Sequence, residues 1–245
     1  MTHKSKAVLL RTVKYGESSI IVTMFTELFG LQSYMVKGVR SGGKSAAGKI
    51  SYFQPAAQLS MEVYRNPAKT LQYIKEYQWA YIYKNLYFDV LKNAIATYIV
   101  EMVLCTMVEQ EDGQELYDLL ENALIYVDQQ ENAHIINIPL VFSLRLAALL
   151  GFRFHGTYSE QTPILDLQEG RYVSKIPPHG FILEGQTASI NSQLMQIQAL
   201  NQAKDVQISN INRRTLLKSY QQFFSLHLEN YREARSYSIL KTVLQ

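Results

Sequence analysis

The chain has 245 residues, a net charge of +3, 47% hydrophobic residues and a single cysteine. This length and apolar content suffice to bury a core, which excludes global disorder. A single cysteine excludes an intramolecular disulfide and a multi-thiolate zinc site, and it fits a reducing, cytoplasmic location. The N-terminal residues lack the pattern of a signal peptide. The longest apolar window, residues 135–154, contains Pro139 and Arg145, so we do not expect it to span a membrane.

Positive charge is concentrated near the N-terminus. Residues 1–80 contain eleven Lys or Arg and four Glu, a net charge of +7, whereas the remainder contains 13 basic and 17 acidic residues, a net charge of −4. A basic domain joined to a less basic one is the electrostatic pattern expected for binding a polyanion, most often a nucleic acid. A solvated surface with uneven charge is the alternative interpretation.

Five short segments rich in β-branched and aromatic residues lie in the basic part of the chain, and each is a predicted strand. They cover residues 6–14, 18–26, 32–37, 58–65 and 70–77. Their close spacing leaves no room for crossover helices, which favours a small antiparallel barrel. Five strands are typical of the oligonucleotide/oligosaccharide-binding (OB) barrel, and an SH3-like barrel is the alternative. We assign this domain to residues 1–79.

After Trp79 the apolar residues recur at helical spacing. Residues 91–102 and 116–127 each predict a helix, and a third is predicted to begin at Asn137 as its cap and to end at Gly151. Glycine and proline punctuate residues 151–185, which predicts an irregular or small β insert. Helical spacing returns at residues 194–200 and again from about residue 212 to 231. The predicted fold is therefore α+β, with a helical domain over residues 80–245.

Residues 38–45 read GVRSGGKS and match the phosphate-loop pattern G-x-x-x-x-G-K-[ST]. A phosphate loop requires a long helix directly after it, whose N-terminus faces the phosphates. Lys49, Tyr52 and Pro55 follow too closely to leave room for that helix. A phosphate-loop ATPase is therefore the alternative function, and a basic loop is the preferred interpretation.

Cations of this loop and of the neighbouring strands form the predicted DNA-binding surface, because they can contact phosphates while nearby tyrosines offer rings for base stacking. The predicted DNA-binding residues are Arg11, Lys14, Tyr34, Lys37, Arg40, Lys44, Lys49, Tyr52, Arg65 and Lys69. Burial of the tyrosines in the barrel core is the alternative for those residues. No catalytic residue and no cofactor is predicted, since the five histidines lack the spacing of metal ligands and Cys105 lies in an apolar segment.

Three stretches resemble the RecO family of recombination mediators. They are KAVLLRTVKYGESSIIVTMFTELFGLQSYMVKGVRSGGKS (residues 6–45), NIPLVFSLRLAALLG (137–151) and HLENYREARSYSIL (227–240). The resemblance covers nearly the whole chain in order. It implies an N-terminal OB barrel, a C-terminal helical domain, binding of single- and double-stranded DNA, and annealing of complementary strands. It also accounts for the phosphate-loop match, because relatives carry a basic loop ending in Lys-Ser there without hydrolysing nucleotides.

The resemblance further implies partners and a location. Members of the family contact the acidic C-terminal tail of the single-strand-binding protein (SSB), work with RecR to load recombinase on SSB-coated DNA, and act at the nucleoid in the cytoplasm. Many relatives hold a four-cysteine zinc knuckle after the third helix, but residues 151–185 contain no cysteine, so we expect no zinc. A basic RNA-binding barrel protein is the second alternative function.

The third helix is the predicted site for the SSB tail, because an acidic tail with an apolar end needs an apolar pocket and a cation. The predicted residues are Phe142, Arg145, Leu146 and Leu149, with Arg213, Arg214 and Lys218 of the last helix as further candidate cations. The alternative is a core helix whose Arg145 side chain reaches solvent.

Overall fold

A computed structural model describes residues 2–40, 49–107 and 113–244. The N-terminal part consists of five strands and one 3-10 turn. They are β1 (Thr2–Tyr15), β2 (Ser19–Thr26), β3 (Gly30–Val36), the turn Ser51–Phe53, β4 (Gln58–Tyr64) and β5 (Leu71–Tyr81).

The five strands close into a barrel with the order β1-β2-β3-β5-β4, which confirms the predicted OB-type architecture. All neighbouring strands are antiparallel except β3 and β5, which run parallel. Successive residues of a strand face opposite sides of the sheet. Inward-facing apolar side chains fill the barrel, and they include Leu9, Val22, Met24, Leu59 and Val63.

The C-terminal part contains seven described helices, a second 3-10 turn and three short strands. They are α1 (Val90–Thr106), α2 (Gln114–Gln129), α3 (Asn132–Ile135), α4 (Ile138–Leu149), β6 (Ile164–Asp166), β7 (Arg171–Val173), β8 (Ile182–Leu183), α5 (Gly185–Met195), the turn Leu200–Asp205, α6 (Asn210–His227) and α7 (Ser236–Val243).

The chain forms two compact units, and the boundary differs from the predicted one. Unit 1 comprises Met1–Lys84 and Met107–Leu124, and unit 2 comprises Asn85–Thr106 and Ile125–Gln245. The predicted boundary at Trp79 falls inside β5, because that strand continues past residue 77 and pairs Trp79 with Leu59 of β4. The segment 107–124 rejoins the barrel, and Lys6 of β1 forms an ion pair of 3.3 Å with Glu121 there.

The predicted β insert is a three-stranded sheet with the order β7-β6-β8. Phe154 stacks on Phe223 of α6 with the ring centroids 3.9 Å apart, and the hydroxyl of Tyr172 donates to the carbonyl oxygen of Ala188 at 2.7 Å. Tyr158 of the same insert is exposed and does not contribute to this packing. Among the described residues, no three His, Cys, Asp or Glu side chains are grouped to hold a metal ion.

The third predicted helix corresponds to α4, although Asn137 does not cap it through its side chain. The Asn137 side chain instead donates hydrogen bonds to two main-chain carbonyls elsewhere in unit 2. By length and composition alone, Asn132–Leu149 meets the criteria for a membrane span, although 56% of it is buried in the structure. A core helix meets the same criteria, and the complete burial of Phe142 and Leu146 assigns α4 to the core of unit 2.

Candidate nucleic-acid interface

A row of apolar and aromatic side chains crosses the outer face of the barrel. Val13 of β1 pairs with Ile21 of β2, Ile21 with Met35 of β3, Met35 with Tyr73 of β5, and Tyr73 with Tyr64 of β4. Their inward-facing neighbours fill the core, so these five side chains project outward. Val13, Tyr73 and Tyr64 are 42%, 40% and 50% exposed, respectively. We call these five residues the outer row.

Cations lie beside the outer row. The ammonium of Lys37, which follows β3, lies 5.5 Å from the ring centroid of Tyr73, within the range of a cation–π interaction. Arg11 is exposed and pairs with Thr23 on the adjacent outward-facing row. Aromatic rings that accept stacked bases, together with cations that track phosphates, are the combination by which proteins bind single-stranded nucleic acid.

The described residues on both sides of the segment 41–48 form hydrogen bonds to β1 and to the turn that follows it. Before the loop, Arg40 donates from its backbone N–H to the Ser18 carbonyl and from Nη1 to the Gly16 carbonyl, each at 3.0 Å. After the loop, the Thr12 hydroxyl donates to the carbonyl oxygen of Phe53 at 2.8 Å. These bonds attach the described residue Arg40 to the β1–β2 turn and Phe53 to the last part of β1.

Five of the predicted DNA-binding cations lie at or near this end of the barrel, while one falls outside the described residues. Lys14, Lys37 and Lys49 are exposed, as is Arg11 on β1, and Arg40 is partly exposed. Lys44 lies in the segment 41–48, outside the described residues. The structure therefore brings together most of the predicted cations.

Arg65 and Lys69 lie at the opposite end of the barrel. They follow β4, whose last residue Tyr64 pairs with Thr2 at the start of β1. The Arg65 guanidinium lies 4.2 Å from the ring centroid of Phe29. In an OB barrel, the loops after β1 and after β4 flank the ligand-binding face of strands 2 and 3. The two basic ends therefore flank the outer row instead of forming one patch.

The structure does not support Tyr34 as a stacking residue. Tyr34 is 1% exposed and faces the barrel core, and burial raises the pKa of its hydroxyl. Tyr52 is partly exposed, but its ring stacks on Trp79 with the centroids 4.5 Å apart, so one ring face is already occupied. Tyr73 and Tyr64 are exposed, and they replace Tyr34 and Tyr52 as the candidate residues for base stacking.

The predicted partner face of α4 is also corrected by burial. Phe142 and Leu146 are completely buried and face the core, so they cannot line a surface pocket. Arg213 is buried as well, and its guanidinium donates to Asn137 Oδ1 at 3.0 Å and to the Ile208 carbonyl at 2.9 Å. Arg213 therefore has a structural role in unit 2.

Arg145 lies in a cleft of about 530 Å³ on unit 2. The cleft combines apolar walls with cations, and its lining includes Leu144, Arg145, Arg153, Phe154, His155 and Ile197. Arg145 Nη2 lies 3.4 Å from the carbonyl oxygen of Ile197, and partial burial lowers the pKa of its guanidinium. Leu149 is exposed at the end of α4, and Arg214 and Lys218 lie on α6, outside the described lining of the cleft.

The barrel is closed, has the OB strand order, and carries a basic and aromatic outer face. Together with the helical unit, these features define a class of OB-fold nucleic-acid-binding proteins. Residues 1–83 match the family model described as "Recombination protein O N terminal", and residues 87–236 match "Recombination protein O C terminal". The chain therefore belongs to the recombination protein O family.

Curated relatives of nearly the same length support this membership. Proteins named "DNA repair protein RecO" from Flavobacterium psychrophilum and Flavobacterium johnsoniae are 30% and 29% identical over 243 residues, covering 99% of each chain. A protein of the same name from Bacteroides fragilis is 26% identical over 245 residues, covering 98% of each chain.

Proposed function

We propose that this protein is a DNA-binding recombination mediator that acts in DNA repair without catalysing a reaction. Membership of a family whose curated members are named DNA repair proteins supports the role in repair. The observation that carries DNA binding is the outer row with Lys37 against Tyr73, because it combines a stacking surface with phosphate-binding cations. We assign this activity to the cytoplasm, at the nucleoid.

Annealing of complementary strands follows from the same surface. Two DNA strands repel each other through their phosphates, and basic side chains that neutralise both backbones lower that repulsion. Rings at Tyr64 and Tyr73 would hold the bases of one strand unstacked from each other and open to pairing. No bond is made or broken, so neither a cofactor nor a nucleotide is required.

ATP should be irrelevant to this activity. We expect the purified protein to anneal complementary labelled oligonucleotides at the same rate with and without ATP. The replacement Lys44→Ala should weaken DNA binding modestly, by its one phosphate contact, and should leave ATP hydrolysis at the background level. Hydrolysis above background that disappears in Lys44→Ala would instead favour the phosphate-loop ATPase.

Parallel titrations with single-stranded RNA test the alternative of an RNA-binding barrel. That alternative requires the protein to bind RNA more tightly than DNA of the same length.

The cleft around Arg145 is our proposed site for the acidic C-terminal tail of SSB. Such a tail carries an apolar end and several carboxylates, and the cleft offers apolar walls beside Arg145, Arg153 and His155. This site retains the predicted Arg145 but replaces Phe142 and Leu146 with residues on the exposed side of the helix. A mediator that holds this tail would be positioned to load recombinase, with RecR, on SSB-coated DNA.

The replacement Arg145→Ala should lower the affinity for a fluorescent SSB-tail peptide about tenfold or more. The physical reason is the loss of one charged contact in a partly desolvated cleft, worth ~1.5 to 3 kcal/mol. Lys218→Ala removes an exposed cation outside the cleft and is the matched control, which should bind like the wild type. DNA affinity should not change in either variant. Normal peptide binding by a folded Arg145→Ala protein would exclude Arg145 from the site.

A further inference from the structure

Exposed apolar side chains are concentrated at a groove on unit 2, away from the cleft around Arg145. Helices α1 and α7 pack against each other, and a groove of about 330 Å³ runs beside them. Its lining includes Phe88, Val90, Ala94, Thr97, Ile239 and Val243. Phe88, Val90 and Ile239 are 84%, 73% and 58% exposed, respectively. Single exposed apolar residues are ordinary, but three at one groove indicate an interaction surface.

The size of the groove argues against a second copy of this chain as its occupant. If fully covered, the three exposed side chains would contribute on the order of 400 Å² per copy and about 800 Å² per pair, whereas stable interfaces bury ~1,200 to 2,000 Å². A short helix is a better match. A helix that docks in a groove between two others uses a stripe of apolar anchors at i, i+4 and i+7.

The charge at the groove also favours a partner helix over a second copy of this chain. Of the described residues that line it, Asp89 is the charged one. Its Oδ1 accepts the backbone N–H of Lys92 at 2.9 Å and its Oδ2 accepts from Asn132 Nδ2 at 3.0 Å. The hydrogen bond from Lys92 holds the pKa of this carboxyl below its usual value, so Asp89 is an anion at neutral pH. Two copies meeting at this surface would bring two such anions to one contact, whereas a basic partner would neutralise it.

We propose that the groove between α1 and α7 binds an amphipathic helix of another protein, with apolar anchors along one stripe and a lysine or arginine facing Asp89. This site is separate from the DNA-binding face of the barrel and from the cleft around Arg145. Its lining shares no residue with the outer row or with the described lining of the cleft, so it is a third candidate binding surface.

The test uses the full-length protein and two synthetic fluorescein-labelled peptides. Both carry leucines at i, i+4, i+7 and i+11 in an alanine-rich helix, and the leucine stripe is flanked by lysines in one peptide and by glutamates in the other. We expect saturable binding of the lysine peptide, about tenfold tighter than that of the glutamate peptide. Absence of saturable binding, or equal affinity for the two peptides, would overturn the proposal.

Three variants locate the binding. Phe88→Ser should weaken binding of the lysine peptide about tenfold, and Asp89→Asn should remove most of the preference for lysine over glutamate. Asparagine retains an oxygen that caps α1, so this variant should fold. Ile211→Ser changes an apolar residue of unit 2 that is 76% exposed and lies outside the described groove lining, and it should have no effect. Unchanged binding in Phe88→Ser would refute the site. A dimer that the wild type forms and Phe88→Ser does not, measured by sedimentation equilibrium, would show that the groove binds a second copy of this chain instead of a partner helix.

Discussion

A protein in which Lys37, Lys44 and Lys49 are all replaced by alanine should bind single-stranded DNA roughly 100-fold more weakly at 0.1 M salt, and its affinity should depend less on salt. Each phosphate contact on a single strand contributes ~0.7 to the slope of log K against log salt concentration. With four to six engaged cations, the slope for the wild type should be roughly −3 to −4. The slope for the triple variant should be smaller in magnitude by about 2. Fluorescence anisotropy titrations at several salt concentrations measure both quantities.

Arg40 is left in place in this variant because its guanidinium holds the Gly16 carbonyl and hence the β1–β2 turn. The matched control replaces Lys175, Lys204 and Lys241, three exposed lysines of unit 2, by alanine. It removes the same net charge, so an equal loss of affinity in the control would mean that only the total charge matters. A triple loop variant that keeps the wild-type slope would show that the loop does not contact phosphates.

The strands were predictable because their composition and spacing are local properties of the sequence. The face on which each tyrosine lies was not, because it depends on register and on bulges. Register shifts occur between Leu9 and Arg11 of β1 and between Glu62 and Val63 of β4. A bulge reverses the alternation of inward and outward residues beyond it. In β5 one extra residue lies opposite the step from Glu62, which pairs with Glu76, to Val63, which pairs with Ile74, so Tyr73 faces outward while Tyr77 packs against the core. Tyr34 lies in β3, where the alternation is uninterrupted, and its burial depends on which face of β3 lines the core.

The partner site illustrates a second limit. Helix α4 is apolar on most of its faces, so it has no stripe that distinguishes its core side from a surface pocket. The sequence identified Arg145 because a lone cation stands out in an apolar helix. Arg153 and His155 lie beyond the end of that helix, and Ile197 is 52 residues away from Arg145 in the chain. Only the folded structure brings these residues together.

Helix α7 and the role of Arg213 escaped prediction for related reasons. With eight residues, α7 is too short for its apolar period to be recognised, and the last predicted helix, over about residues 212–231, ends before α7 begins at Ser236. Arginine is usually exposed, so its position on α6 suggested an available cation. Its burial depends on Asn137, which is 76 residues away in the sequence.

Arg213→Ala should therefore lower the free energy of unfolding of unit 2 by about 3 kcal/mol, a large effect for a single arginine. The guanidinium donates to Asn137 Oδ1, Asn210 Oδ1 and the Ile208 carbonyl, and alanine would leave these acceptors without this donor. Urea unfolding followed by far-UV circular dichroism measures the loss in the helices. Fluorescence of Trp79, the single tryptophan of the chain, reports the barrel separately.

Lys218→Ala on the same helix is the control, and it should change the free energy of unfolding by no more than ~0.5 kcal/mol because its side chain is exposed. DNA affinity of the folded Arg213→Ala protein should equal that of the wild type, since Arg213 lies in unit 2 and its described partners are all in that unit. If Arg213→Ala instead kept wild-type stability and weakened binding of the SSB tail, Arg213 would be a partner contact after all. The two roles make opposite predictions because a guanidinium that donates to three acceptors, two of them buried, cannot turn toward a ligand without leaving those two unpaired.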